Sequence, residues 1–156
     1  MALNHSSGDL LAQAEKGKYH VIVHGCNCFC TMGAGIAKQI REKYPRAFHA
    51  DKATKPGDKS KLGTYSVSKG KTFDIVNAYT QYNFSRSDNK DLFEYEAFEK
   101  VLNSLVVEYS GKRFGFPYIG MGLAGGDKDR IIGMLEDFST KIEETGGSVT
   151  LVEFTQ

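Results

Sequence analysis

The sequence predicts an α/β domain in three layers: a mixed, mostly parallel central sheet with helices on both faces. Three observations carry this. β-rich apolar runs alternate with segments of helical apolar spacing, an order that feeds parallel strands through crossover helices. Two glycine-rich loops each join a strand run to a helical segment, the place where such sheets hold ligands. No linker, internal repeat or low-complexity tract divides the chain, so residues 1–156 are read as one domain.

Each element has a local reason. Met1 to Leu11 lacks the charged and apolar blocks of a signal peptide; His5 is read as lying in a flexible terminus and Asp9 as a helix N-cap. Tyr19 to Cys26 is a β-rich run suited to a buried strand. Gly33 to Lys43 reads as a helix with Ile36, Ala37 and Ile40 on one face, ended by Tyr44-Pro45. Pro45 then opens a second helix to about Lys52. Leu62 to Val67 and Thr72 to Tyr79 read as strands joined around Gly70, and Asn83 to Asn89 as a polar loop. Leu92, Tyr95, Phe98, Leu102, Leu105 and Val106 recur at helical spacing between Asp91 and Tyr109. Arg113 to Ile119 is a strand, Gly120 to Gly126 a loop, Asp127 to Glu144 a helix and Ser148 to Phe154 a last strand.

Composition narrows the function. The chain has 20 basic and 19 acidic side chains and a net charge of +1, against the basic excess of a nucleic-acid-coating protein. No apolar stretch reaches the roughly 20 residues that span a bilayer, so a cytoplasmic location and no membrane partner are expected. Cys26, Cys28 and Cys30 read as reduced thiols; C-x-C-x-C is the wrong spacing for paired zinc knuckles, and neither a metal nor a cofactor is expected.

The first glycine loop holds Gly33, Ala34, Gly35 and Ile36, and the second holds Gly120, Met121, Gly122, Leu123 and Ala124 before Gly125 and Gly126. Glycine admits close backbone approach, and free N–H groups at a helix start attract anions, so two such loops at one sheet edge can clamp a diphosphate. Each taken alone is also an ordinary tight turn. Neither loop ends in the Gly-Lys-Ser/Thr of a Walker loop. His24, near the end of the first apolar strand, can shuttle a proton or attack phosphorus, or can be a satisfied core histidine. Asn27 suits ribose hydroxyls or a loop cap. Asp127 suits a helix start, or a carboxylate that orients water beside His24.

Read in order, Gly8-Asp9-Leu10, Val23-His24-Gly25-Cys26-Asn27-Cys28, Met32-Gly33-Ala34-Gly35-Ile36-Ala37 up to Tyr44-Pro45, and Pro117-Tyr118-Ile119 through Asp127 resemble the macrodomain family, most of all its ADP-ribose 1″-phosphate processing phosphatases. The resemblance implies a three-layer α/β/α fold that holds ADP-ribose or its derivatives in a cleft at the sheet edge. It implies Asp9 and Leu10 by the adenine, with Phe154 packed beside the ring. Asn27 would meet the distal ribose, and the backbones of Gly33 to Ile36 and Gly120 to Ala124 the diphosphate. It implies His24 and Asp127 as catalytic residues of a metal-independent phosphatase. A non-catalytic ADP-ribose reader and a hydrolase of another derivative, such as O-acetyl-ADP-ribose, share the same cleft. A sister branch frees ADP-ribose from glutamate with a lysine and an aspartate; those places hold Gln81 and Ala124 here, so that chemistry is not expected.

Overall fold

A computed structural model describes residues 3–84, 92–122 and 124–155. The element order is β1 (Asn4–Gly8), α1 (Leu10–Glu15), β2 (Val21–Cys26), α2 (Gly35–Lys43), α3 (Pro45–Lys52), a 3-10 turn (Lys59–Lys61), β3 (Tyr65–Ser68), β4 (Asp74–Tyr79), α4 (Tyr95–Glu108), β5 (Arg113–Phe116), α5 (Lys128–Glu144) and β6 (Ser148–Phe154). The six strands form one sheet in the order β1-β6-β5-β2-β4-β3. The pairs β1–β6, β6–β5, β5–β2 and β2–β4 are parallel, and β3 runs antiparallel to β4. The expected α/β architecture with a mixed, mostly parallel sheet is therefore present.

Strand alternation splits the core in two. Val21, Val23, Val76, Ala78, Phe114, Phe116, Val149 and Leu151 pack with α4 and α5 on one face. Ile22, Cys26, Ile75, Tyr79 and Val152 pack with α1, α2 and α3 on the other. Because five strands are mutually parallel, their carboxyl ends gather at a single sheet edge.

The opening segment corrects the sequence reading. Asn4–Gly8 is a strand, pairing from Asn4 with Thr150 to Gly8 with Phe154. Its run Asn-His-Ser-Ser-Gly has no apolar alternation, and the order comes from ladder hydrogen bonds to β6. The strand expected at Leu62 to Val67 starts later, at Tyr65, because Asp58 caps a 3-10 turn by accepting from Ser60 N–H at 2.8 Å. The helix expected from Asp91 starts at Tyr95: Leu92 and Phe93 are drawn into backbone bonds with the Ala124 carbonyl, and Phe93 bridges to Gln81. The strand expected to reach Ile119 stops at Phe116, before Pro117. Most of the polar loop expected at Asn83 to Asn89 lies outside the described residues, as does Leu123.

Candidate ligand-binding cleft

Two cavities open at the carboxyl edge of the sheet. The larger, about 850 Å³, is floored by Gly25, Cys26, Asn27 and Asp51 and walled by Thr31 to Ala34, Gln81, Phe84, Gly122 and Ala124. The smaller, about 250 Å³, lies among Gly8, Asp9, Leu10, Gly35, Ile36, Pro117, Tyr118, Val152 and Phe154. Ala34 lines one and Gly35 the other, so both cavities reach the start of α2.

That start is built to present backbone donors. Ala34 is the N-cap with extended backbone, it supplies no side-chain cap, and no acidic residue stands in the first turn. The first N–H groups of a helix lack intrahelical partners, and the helix dipole makes this end attractive to anions. Gly35 is left-handed at φ +57°, with open space where a Cβ would stand. Arg41 ties the helix back to the preceding loop by donating to the Thr31 carbonyl at 3.1 Å. Within that loop Cys30 and Met32 also take positive φ, 61° and 42°, a cost borne where backbone is shaped for a purpose.

The second glycine loop folds on itself. Gly126 N–H donates to the Gly120 carbonyl at 2.7 Å, and Gly125 N–H to the Gly122 carbonyl at 2.9 Å. Gly120 is left-handed at φ +74°, and a Cβ there would strike the Phe93 ring. Gly122 and Ala124 face the large cavity; among the described residues of the two linings, Gly120 and Met121 do not appear.

The named side chains divide clearly. Asp9 caps α1, its Oδ1 accepting from Leu11 and Ala12 N–H at 2.9 and 3.3 Å, and it also walls the small cavity. Phe154, 60% exposed, borders that cavity too. Asn27 Oδ1 accepts from Phe29 N–H at 2.8 Å, and Nδ2 donates to the Thr31 hydroxyl at 2.7 Å. The amide thus braces its own loop, with one N–H to spare for a ligand.

His24 and Asp127 are not brought together. His24 shares a face with Ile22 and Cys26, is fully buried, and lies 2.7 Å from Asn77 Oδ1 through Nε2. Burial pushes its pKa down to about 4. Asp127 is an exposed N-cap of α5, its N–H bonded to the Tyr95 hydroxyl of α4 at 2.9 Å. One residue sits under α3, the other on the α4/α5 side, and neither is among the described residues lining the two cavities. Sequence reasoning passed over Asp51, whose lone carboxylate on a short helix carries no motif. Gln81, the departure from the glutamate-releasing branch, does reach the large cavity. Cys26 and Cys28 are buried, Cys30 is partly so, and all three are free thiols.

Comparison with known proteins agrees with this fold. The Macro domain family model matches residues 23–135. The chain belongs to that family. The macrodomain is 36% identical over 148 residues to an uncharacterised 17.5 kDa protein of Enterobacteria phage T4, encoded in the tk-vs intergenic region, covering 92% of this chain and 94% of that one. Its fold is similar to a protein of unknown function from Bacteroides thetaiotaomicron, at TM-score 0.79 and 21% identity, with 99% of each chain covered. It is also similar to Thermosipho africanus DarTG, solved in complex with ADP-ribose, at TM-score 0.73 and 18% identity over 96% of this macrodomain and 41% of that chain. Among the described residues, no helix is long and apolar enough to cross a membrane.

Proposed function

We propose that this macrodomain binds ADP-ribose and its derivatives along the two cavities. The observation that carries the reading is that both reach the start of α2, where no side chain caps the helix. A diphosphate there meets backbone donors and the positive end of the helix dipole. Adenine then falls between Asp9 and Phe154, with the Asp9 oxygen not used in the cap free to accept from the exocyclic amine. The distal ribose enters the large cavity beside Asn27. The ADP-ribose complex of the DarTG relative supports the same ligand class.

Within this reading the preferred activity is release of phosphate from ADP-ribose 1″-phosphate. It is supported by likeness of the motifs to that branch and by a distal cavity of about 850 Å³ with Gln81, Thr31 and backbone groups in its wall. His24 does not serve as its nucleophile, because the imidazole is enclosed and already bonded. The same enclosure, with Asp127 on the opposite face, favours a second reading, a non-catalytic ADP-ribose reader. Titration calorimetry with ADP-ribose tests the binding, with a Kd on the order of micromolar expected; no saturable heat overturns it. Inorganic phosphate release from ADP-ribose 1″-phosphate, run beside O-acetyl-ADP-ribose, then separates phosphatase, other hydrolase and reader.

A further inference from the structure

Beneath the large cavity, polar side chains from three strands and one helix form a single hydrogen-bonded series. Register sets it up: His24 on β2 and Ser66 on β3 are both direct neighbours of Asn77 on β4. His24 Nε2 lies 2.7 Å from Asn77 Oδ1. Asn77 Nδ2 donates to Ser66 Oγ at 3.0 Å, and Ser66 Oγ lies 2.8 Å from the Tyr79 hydroxyl. The Tyr79 hydroxyl donates to Asp51 Oδ1, on α3, at 2.7 Å.

The donors admit one assignment. A carboxylate only accepts, so the single Tyr79 hydrogen goes to Asp51. Ser66 must then donate to Tyr79, and it accepts from the Asn77 amide nitrogen. Asn77 Oδ1 is left to accept from His24 Nε2–H. Every hydrogen points from His24 toward Asp51, the arrangement in which successive bonds polarise one another.

The series ends on an unmet acceptor. Asp51 borders the large cavity while only 1% exposed, and its Oδ2 has no partner among the described residues. Lys61 gives two of its three N–H groups to the Cys28 carbonyl at 3.0 Å and Cys30 Sγ at 3.5 Å, and no hydrogen bond from it to Asp51 Oδ2 is present among the described residues. A buried acceptor left unmet costs free energy that a ligand donor at the cavity floor would recover.

We propose that Asp51 binds the distal end of the ligand, its Oδ2 accepting from a sugar hydroxyl beyond the diphosphate. His24 is a positioning residue that holds this carboxylate through Asn77, Ser66 and Tyr79. The inference rests on the ADP-ribose reading and adds to it the group that discriminates ADP-ribose from ADP, which lacks the distal ribose.

The test is calorimetric titration of ADP-ribose and of ADP against wild type, Asp51→Asn, Tyr79→Phe, His24→Gln and His24→Leu. Asp51→Asn keeps an oxygen for Tyr79 and replaces the second acceptor with a donor. It is expected to weaken ADP-ribose about tenfold and leave ADP unchanged. Tyr79→Phe and His24→Leu show the same selectivity at smaller size, and neither weakens ADP-ribose further in the Asp51→Asn background. His24→Gln, whose amide can still donate to Asn77, retains wild-type affinity. The proposal is overturned if Asp51→Asn binds ADP-ribose as wild type does, or loses both ligands equally. Should that variant not fold, Tyr79→Phe decides by the same criterion. Failure of wild type to bind ADP-ribose removes the functional reading and this inference together; a wild-type-like Asp51→Asn removes the inference alone.

Discussion

The imidazole of His24 is neutral in the fold and carries a pH dependence with it. Its pKa falls to about 4 because burial disfavours the cation, against about 6.5 for a free histidine. Between these values the unfolded chain binds the extra proton, so this contribution is complete above about pH 6.5 and is lost as pH falls toward 4. Stability is expected to drop about 2 kcal/mol from this residue between pH 7 and pH 5. Urea unfolding at the two pH values should show it, and His24→Gln should remove that part of the drop; an unchanged pH dependence in the variant would place its origin elsewhere. Asn27→Ala is expected to weaken ADP-ribose about tenfold by removing a donor at the cavity floor; unchanged affinity in a titration would leave the amide as a loop brace alone. The residue types of the cleft were legible because glycines and Asn27 sit in strand-to-helix loops. The direction in which His24 points was not. Val21-Ile22-Val23-His24 is buried on both faces, and a strand of that kind has no polar alternation to reveal which side chains share a face.

At the scale of elements, the proposed site depends on the start of α2 and on the two glycine loops. Gly35→Val forces a branched residue to φ +57°, which costs about 1–2 kcal/mol, and brings bulk to the helix start that both cavities reach. A lower Tm together with lost ADP-ribose binding is expected, and a variant with full affinity would show that the α2 start does not hold the diphosphate. Gly120→Ala drives a methyl group into the buried Phe93 ring. It should cost about 1–3 kcal/mol in chemical unfolding, since a packed core resists added volume; the effect is expected on stability, because the added methyl meets the Phe93 ring. Helices α2, α4 and α5 were readable from apolar spacing, while Pro45 marked both the α2–α3 boundary and the start of α3. Strand β1 was not, since an edge strand of Asn, His and Ser gains order from its neighbour's ladder and not from burial. The start of α4 was displaced for a similar reason: Leu92 and Phe93 carry the helical pattern, but the Ala124 carbonyl takes their N–H groups.

For the molecule as a whole, helices on both faces of a single sheet imply one cooperative unit. Thermal unfolding is expected as one transition, coincident by far-UV and near-UV circular dichroism, and shifted upward by ADP-ribose as mass action requires. Two separated transitions would divide the chain into independently folding parts. The alternation of strands and helices made this architecture legible from the outset, while the outer strand order was hidden in pairings between distant segments. One such pairing has a mechanical outcome. The small cavity takes Gly8 from the end of the first strand, Asp9 just after it, and Val152 and Phe154 from the last, and the two strands lie side by side. A base wedged between Asp9 and Phe154 would rivet the opening and closing strands to each other. Amide exchange should then slow in concert at both, far apart in sequence, whereas a nucleotide occupying the large cavity alone would leave that seam free to fray.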